Sequence, residues 1–377
     1  MTIGVLKEIN EDNRVGLTPE NVRKLKKNNV SIVVESGAGD KSYFSDKDYE
    51  SAGAEVVNNN DILSKSDVIV RINPFQTDEI DKIEKGKVLI SMVSPFSNEK
   101  FIEKSLEKGI TTFSLDMIPR STRAQTMDVL SSMATTAGYK AVLEAANHLP
   151  SFFPMFMTAA GTIKPSKVLI LGAGVAGLQA IATARKLGAV VQAFDVRSAV
   201  KEEVESLGGK FIEVEGSAES QEAGGYAVEQ SEDYKMKQQQ LIHDHAKKAD
   251  VIITTAQIPG KKAPLLVRKE TVNEMKRGSV IVDLAASTGG NCELTKNDEI
   301  QNHNGIKIIG NSNYPSDLQV DASSMFGNNL INFLQVLLNS EGEIDLNFED
   351  DILKSTCVTH DYKLINERVK EVYSSKN

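Results

Sequence analysis

The sequence predicts an α/β protein: two Rossmann-like domains with mainly parallel sheets flanking a cleft. Three observations carry this. Short apolar runs alternate with helical stretches through both halves of the chain, the pattern of βαβ units and a parallel sheet. Glycines at 172, 174 and 177 stand in the spacing G-x-G-x-x-G, between one such run and a helical stretch. The chain has 377 residues, enough for two domains with cores of their own. We place the first domain at residues 1–130 plus 318–377, discontinuous in sequence, and the second at residues 131–317.

Taken in order, residues 2–6 (TIGVL) read as a strand. Thr18-Pro19-Glu20 read as a helix start, with Thr18 as cap and Pro19 at the first helical position, where its missing N–H is no loss. Residues 30–34, 67–72, 87–91 and 110–114 are further apolar runs of strand length, with helical stretches between them. No G-x-G-x-x-G occurs in this half, so it is not expected to hold a dinucleotide. The segment RSTRAQTMDVLSS, residues 120–132, leads into a helix over 130–148 that is apolar on much of its surface. A long helix between two α/β units is expected to bridge them and wall the cleft.

The second half is organised around KVLILGAGVAGLQAIATARKLGAVVQAFDVR, residues 167–197. An apolar strand over 168–171 ends in glycines. Gly172 permits the tight turn, Gly174 lets backbone approach a pyrophosphate, and Gly177 lets the new helix pack on the strand. Ala173, Val175 and Ala176 complete the turn, whose N–H groups and helix N-terminus suit phosphate. A second strand over 190–194 ends at Asp195, roughly 20 residues beyond the glycines, where this fold places a ribose ligand. An acid there favours NAD and repels the 2′-phosphate of NADP; Arg197, close by with Val196 between, weakens that preference because an arginine welcomes the phosphate.

Beyond Asp195 the sequence predicts a helix over 199–207 and strands over 210–214, 251–255, 279–284 and 306–309, the last of these closing the series of strands. The stretch GSAESQEAGGYAVEQSEDYKMKQQQ opens without a periodic apolar face. Read from its residues it is either a lid, with Gly224-Gly225 as hinge and Tyr226 as tip, or an inert insertion. Ligands of open α/β sheets bind at the carboxyl ends of the strands, which makes the loops at residues 256–259 and 285–291 the expected rim of the site, with Thr255, Ala256, Gln257, Leu284 and Ala285 as its cofactor-binding residues. From Asp321 a strongly apolar helix, ASSMFGNNLINFLQVLL, is expected to return to the first domain, followed by a charged, partly helical tail.

Several functional classes are disfavoured. A net charge of -9 argues against nucleic acid as a partner. Cys292 and Cys357 give no disulfide framework and fit a reducing compartment. The polar N-terminus does not read as a signal peptide, and no apolar run is long enough to span a bilayer. His243 and His245 flank Asp244 without the i, i+4 spacing or a third ligand of a metal site, and no metal is expected; His148, His303 and His360 stand apart. Neither a G-x-S-x-G elbow nor a G-x-x-x-x-G-K-[ST] loop is present.

With these residues in view the chain resembles the proton-translocating nicotinamide nucleotide transhydrogenases. The resemblance is to their NAD(H)-binding component, in the form where that first segment of the α subunit is a separate soluble chain. It runs through KEINEDNRVGLTPE, PRSTRAQTMDVLSSMATTAGYKAV, LGAGVAGLQAIATARKLGAVVQAFDVR, AGGYAVEQSEDY, TTAQIPGKKAPLLV, VDLAASTGGNCELT and DASSMFGNNLINFL, in order over essentially the whole chain. It implies an oxidoreductase of the Re/Si-specific, proton-translocating class, active only with partner subunits. One partner spans the membrane and another binds NADP(H). The resemblance also implies a homodimer, and a cytoplasmic location peripheral to the inner face of the membrane through the partners. Membership implies that Arg120, Gln125, Asp128 and Ser131 reach the nicotinamide ring. Gln125 faces the NADP(H)-binding partner, Asp128 and Ser131 orient the carboxamide, and Tyr226 closes on bound nucleotide.

Alanine dehydrogenase shares the fold and several of these blocks and is the rival reading. Oxidative deamination needs a proton acceptor at the substrate carbon. That family's histidine is missing from residues 91–95, and its aspartate is missing from Ala286-Ser287-Thr288-Gly289-Gly290. Arg14 of the NRV motif is present, but the lysine expected near RINP is not clearly matched. A non-catalytic NAD-sensing module is the third reading, from a different functional class.

Overall fold

The structure is a computed structural model and describes residues 1–214, 231–258 and 260–374. It divides into two compact units, residues 1–133 with 315–377, and residues 134–314. The strands, in chain order, are β1 (Thr2–Val5), β2 (Ser31–Glu35), β3 (Glu55–Val57), β4 (Val68–Val70), β5 (Val88–Ser91) and β6 (Thr111–Ser114). In the second unit they are β7 (Phe156–Thr158), β8 (Gly161–Ile163), β9 (Lys167–Leu171), β10 (Val190–Phe194), β11 (Lys210–Ile212), β12 (Val251–Thr254), β13 (Val280–Asp283), β14 (Ile300–His303) and β15 (Ile306–Ile309). The chain then returns to the first unit for β16 (Cys357–His360) and β17 (Lys363–Leu364).

The first sheet has the order β17-β16-β6-β5-β4-β1-β2-β3, and β6 through β3 are parallel. The second has the order β11-β10-β9-β12-β13-β15-β14, parallel except for the β14 edge. Each parallel set follows the Rossmann order, in which the first strand lies beside the fourth and the chain reverses direction between them. The central strands are buried on both faces, as parallel strands must be when helices cover the sheet twice. In the first unit Val68, Val70, Val88 and Ile90 face one core, while Val33, Ile69 and Leu89 face the other. In the second unit Val168, Ile170, Val251 and Ile253 alternate in the same way with Leu169, Leu171 and Ile252.

Two expectations need correction. Ile306–Ile309 does not close the series: β16 and β17 follow in the charged tail, and β16 pairs antiparallel with β6. Four residues, CVTH, are too short to show a period, and their place is set by the open edge of β6 rather than by composition. The helix predicted over 199–207 is shorter, a 3-10 turn at Ser198–Val200 followed by Lys201–Ser206. The sequence reading also missed β3, the β7–β8 hairpin and β14, each three or four residues long. Thr18 does cap the helix Pro19–Leu25: its hydroxyl accepts from Asn21 N–H, while the Asn21 side chain accepts from Thr18 N–H. The helix Gln319–Leu337 lies in the first unit, burying Phe326, Leu330, Phe333 and Leu334 in its core.

Candidate functional site

The turn after β9 is built as its glycines require. Gly172 has φ +105, open to glycine and strained for any other residue. A Cβ on Gly177 would lie 1.9 Å from the Gly172 carbonyl oxygen, so helix and strand can approach this closely only without a side chain. Gly174 differs from both: a Cβ there would meet nothing within 4 Å. Its bare side faces open space at the start of the helix Val175–Lys186, which begins without a side-chain cap. The first-turn N–H groups of that helix have no intrahelical partner. Val175 is exposed, while Ala173 and Gly177 are buried beneath the turn.

Asp195 closes the second βα connection onto the first. Its Oδ2 accepts from Ala173 N–H at 2.8 Å and from Arg197 Nη2 at 2.8 Å; its Oδ1 accepts from the Arg197 backbone N–H and Nε, both at 2.9 Å. An ionised carboxyl offers about four lone-pair sites, and all four are taken. A diol can reach this carboxylate only by displacing the Arg197 fork. The carboxylate in turn holds Arg197 more firmly protonated, through the side-chain hydrogen bond first and the charge second. Val196 is half-buried against the core on the far side of the sheet.

Thr255 is tied to the same turn, and the other rim residues are tied to β12, to β13 and to the loops that follow them. Thr255 Oγ1 donates to the Gly172 carbonyl at 3.0 Å, Gln257 Nε2 donates to the Leu284 carbonyl at 2.8 Å, and Leu284 N–H donates to the Thr254 carbonyl. Ala256 N–H donates to Asn291 Oδ1 at 3.0 Å, and Ala285 N–H donates to Asp283 Oδ1 at 3.0 Å. The structure therefore gathers Gly172 through Gly177, Asp195, Arg197, Thr255, Ala256, Gln257, Leu284 and Ala285 at the carboxyl ends of β9, β10, β12 and β13. Gly225 and Tyr226 lie outside the described residues.

Three residues hold this rim; Asp283 and Gly138 were not found from sequence, while Asn291 ends a loop expected at the rim without its linking role being read. Asp283 is fully buried and accepts from Thr254 Oγ1, the N–H groups of Ala285, Asn291 and Cys292, and Thr295 Oγ1. Asn291, also fully buried, joins the loop after β12 to the loop after β13 through Ala256 and Pro264. Gly138, in the helix Val129–His148, backs the glycine turn so closely that a Cβ would fall 2.1 Å from the Ala176 carbonyl oxygen. The available signal was a polar residue ending the apolar strand VIVD and a glycine inside a long helix.

In the first unit, Arg120 and Gln125 are exposed, and Asp128 and Ser131 are half-buried. Gln125 sits in the 3-10 turn Thr122–Met127, pinned from beneath by buried Ala124 and Met127. Asp128 caps the helix that follows: its carboxylate accepts from Ser131 N–H at 2.9 Å and Ser131 Oγ at 2.6 Å. The segment is held by the helix Gln319–Leu337, where Asn329 and Asn332 both donate to the Thr126 carbonyl and Ser132 Oγ donates to Asn329. Arg123 forks onto Asp350 at its outer edge. Asn329 and Asn332, amides set among the apolar residues of this helix, were the readable sign of this anchor.

The point of reversal in the first sheet, between β1 and β4, is filled by the chain itself. Glu8 accepts from Ile72 N–H at 2.6 Å, Asn73 N–H at 3.1 Å and Asn73 Nδ2 at 2.8 Å. Asn73 Nδ2 also donates to Asp12, which forks with buried Arg14. Burial raises the Glu8 carboxyl to about 7 against those three donors, and the nearby Asp12 charge adds to the rise. Burial acts on Asp12 as well, but the hydrogen bonds and charge of Arg14, with Asn73, outweigh it and leave Asp12 below its ordinary value. Elsewhere, His243 Nδ1 pairs with Thr271 Oγ1 and His245 Nδ1 with Gln192 Oε1, both at 3.0 Å.

Two Rossmann-ordered units, one of them with an open glycine turn and a carboxylate at the end of the next strand, define a dinucleotide-binding α/β protein. The chain belongs to the alanine dehydrogenase/PNT family, whose N-terminal domain matches residues 4–137 and whose C-terminal domain matches residues 141–367. Within it, the similarity is greater to the NAD(P) transhydrogenase α subunits. The chain is 42% identical to the first segment of the NAD(P) transhydrogenase α subunit of Rickettsia prowazekii, over 100% of this chain and 99% of that protein. The solved transhydrogenase from Sinorhizobium meliloti superposes with a TM-score of 0.89 at 42% identity, covering 97% of this chain and 100% of that one. The alanine dehydrogenase of Mycolicibacterium smegmatis is 27% identical over 98% of this chain and 96% of its own length.

Proposed function

We propose that this chain binds NAD(H) at the glycine turn of its second unit and takes part in reversible, direct hydride transfer between that nucleotide and NADP(H) held by a partner subunit. In this reading it is the NAD(H)-binding component of a proton-translocating transhydrogenase. It works as a homodimer, peripheral to the cytoplasmic face of the membrane through its membrane-spanning and NADP(H)-binding partners. The observation that carries the reading is the bare side of Gly174, open where its neighbours Gly172 and Gly177 are tightly packed. Space at that one position suits a pyrophosphate lying along the backbone, and the uncapped helix start suits its charge.

The residues divide the work. The turn from Gly172 to Gly177 holds the phosphates, and Asp195 takes the ribose diol once Arg197 has moved aside. Thr255, Ala256, Gln257, Leu284 and Ala285 shape the rim. Arg120, Gln125, Asp128 and Ser131 orient the ring and its carboxamide, and Gly225 and Tyr226 close over bound nucleotide. The nicotinamide supplies the hydride, so the chain's own task is to align and to exclude water. No group need abstract a proton, in keeping with the serine and proline at residues 94–95 and the threonine before Gly289-Gly290.

The test mixes the purified chain with an NADP(H)-binding transhydrogenase subunit and follows hydride passing from NADH to NADP or an analogue. Transfer is expected in the mixture and little from the chain alone. Gln125→Asn should slow transfer far more than it weakens NADH binding, since its role is alignment. General acid–base help is typically worth ~10²–10⁴-fold, so alanine-dependent reduction of NAD by the isolated chain should be negligible. Robust deamination would replace this reading with the amino-acid dehydrogenase one.

A further inference from the structure

Gln125 is an exposed side chain on a segment that its own backbone bonds hold weakly. The turn Thr122–Met127 is six residues of 3-10 helix. Runs of that tighter, poorly bonded helix usually stop at three or four residues. Ser121 at its start makes no side-chain capping bond. The bond that closes its end, from Asp128 N–H to the Gln125 carbonyl, is long at 3.3 Å. The next carbonyl, that of Thr126, pins the turn. It accepts twice, from Asn329 Nδ2 at 2.7 Å and from Asn332 Nδ2 at 3.0 Å.

Both donors belong to the helix Gln319–Leu337, three residues apart and so on one face. Asn329 is only 8% exposed. A buried amide destabilises a core unless it is hydrogen-bonded, and the neighbours Leu330 and Phe333 show that an apolar side chain would suit this one. Both ends of the Asn329 amide go to the Gln125 segment. While Nδ2 holds Thr126, Oδ1 accepts from Ser132 Oγ at 2.7 Å. Ser132 adjoins Ser131, which the Asp128 carboxylate holds. One amide therefore ties the turn carrying Gln125 to the helix start carrying Asp128 and Ser131. Asn328, next in sequence, bonds elsewhere, to Asn21 and Lys24.

We propose that Asn329 and Asn332 are positioning residues for hydride transfer: their shared grip on the Thr126 carbonyl fixes where Gln125 stands relative to Asp128 and Ser131. The inference rests on the preceding reading, in which those three residues act at the nicotinamide. It adds that the alignment is set by two side chains 203 and 206 residues beyond the turn, acting only through it. Two donors converging on one carbonyl fix its direction as well as its distance, where one donor leaves a pivot. The fork from Arg123 to Asp350 is the weaker hold, because Arg123 is 52% exposed and an exposed ion pair contributes little. Buried Ala124 and Met127 keep the turn seated without the amides. Loss of the clamp therefore shifts Gln125 rather than releasing it, and a shift of about 1 Å in an aligning group can cost about 10²-fold in rate.

The test mixes the whole chain with an NADP(H)-binding transhydrogenase subunit and compares wild type with Asn332→Ala, Asn329→Ala, Gln125→Asn and the double variant Asn332→Ala/Gln125→Asn. Transfer is timed at saturating NADH and saturating partner, and NADH affinity is titrated on each chain alone. Asn332→Ala should transfer about tenfold more slowly and Asn329→Ala about 100-fold more slowly, with NADH affinity within about twofold of wild type. The double variant should be no slower than Gln125→Asn, because residues acting through one side chain are not additive. If Asn329→Ala fails to fold, half-buried Asn332 decides alone. Single variants that transfer at the wild-type rate overturn the inference. So does slowing that saturating partner restores, which would make the clamp a docking feature. A double variant whose losses multiply overturns it too, since Asn332 would then act apart from Gln125. A wild-type mixture without transfer overturns the hydride-transfer reading itself, a result distinct from all of these.

Discussion

The two sheets share one strand order, yet their points of reversal are finished in opposite ways. In the second unit, β9 passes into its helix through residues 172–174, the helix start is uncapped, and Gly174 keeps open space beside it. In the first unit, residues 6–18 intervene after β1 and the helix start is closed by Thr18 and Asn21. There the backbone N–H groups of Ile72 and Asn73 already have an acceptor, the carboxyl of Glu8. Asn10 and Glu11 in that loop are both left-handed, at φ 56 and 59, where the second unit uses glycine. One topology thus leaves an open turn where the helix start is uncapped and a sealed one where side chains close it. Strand order alone says nothing about which unit binds a ligand.

The comparison breaks most readily at Gly177. An added methyl would meet the Gly172 carbonyl oxygen, backbone against backbone, with no flexible side chain to yield. Gly177→Ala should destabilise the second unit by about 3 kcal/mol or more and abolish NADH binding with it, seen as a lowered unfolding transition and a lost titration.

Arg197 sharpens the comparison, since both units hold a carboxylate at the point of reversal that already accepts several donors, three on Glu8 and four on Asp195. Arg197→Ala frees Asp195 for a ribose diol and removes the cation that would meet a 2′-phosphate. NADH affinity should hold or rise and NADPH affinity should fall, moving their ratio by about tenfold, or ~1.4 kcal/mol. Parallel fluorescence titrations read this directly. An unchanged ratio would mean that Arg197 neither guards nor tunes the carboxylate.

Much of the second unit was legible because its signals are local. The glycine spacing, the apolar strands and Asp195 stand within residues 167–197, and each glycine has a separate steric reason. The sealed unit was less legible. Glu8 lies in a polar loop that looks solvated, and its partners Ile72 and Asn73 are more than 60 residues away. Asp283, and the linking role of Asn291, were missed for the same reason: a buried polar hub is recognised by its partners, which sequence does not bring together. The hairpin Phe156–Thr158 and Gly161–Ile163 is too short for periodicity, and β16 depends on an edge 240 residues earlier in the chain.

A pH dependence is expected of the sealed crevice. The Glu8 carboxyl is raised in the folded chain from its ordinary 4.5 to about 7. The stability it lends is therefore full below about pH 4.5 and is lost as pH rises through about 7. Asp12 is shifted the other way, so its contribution is lost only as pH falls below the ordinary carboxylate range, outside that window. The unfolding temperature of the first unit should decline between pH 5 and 8 by more in wild type than in Glu8→Gln, where no proton is exchanged. Identical profiles would show that Glu8 does not titrate there.

The central claim is that the second crevice is the NAD(H) site, and Gly174→Ala tests it most directly. Its backbone is extended, with φ -77 and ψ -168, a conformation alanine adopts freely, and the new methyl meets no protein atom within 4 Å. The account predicts an unfolding temperature within about two degrees of wild type, together with NADH binding weakened by about 100-fold or more as the methyl fills the space kept for the pyrophosphate. A Gly174→Ala chain that binds NADH as tightly as wild type would contradict it.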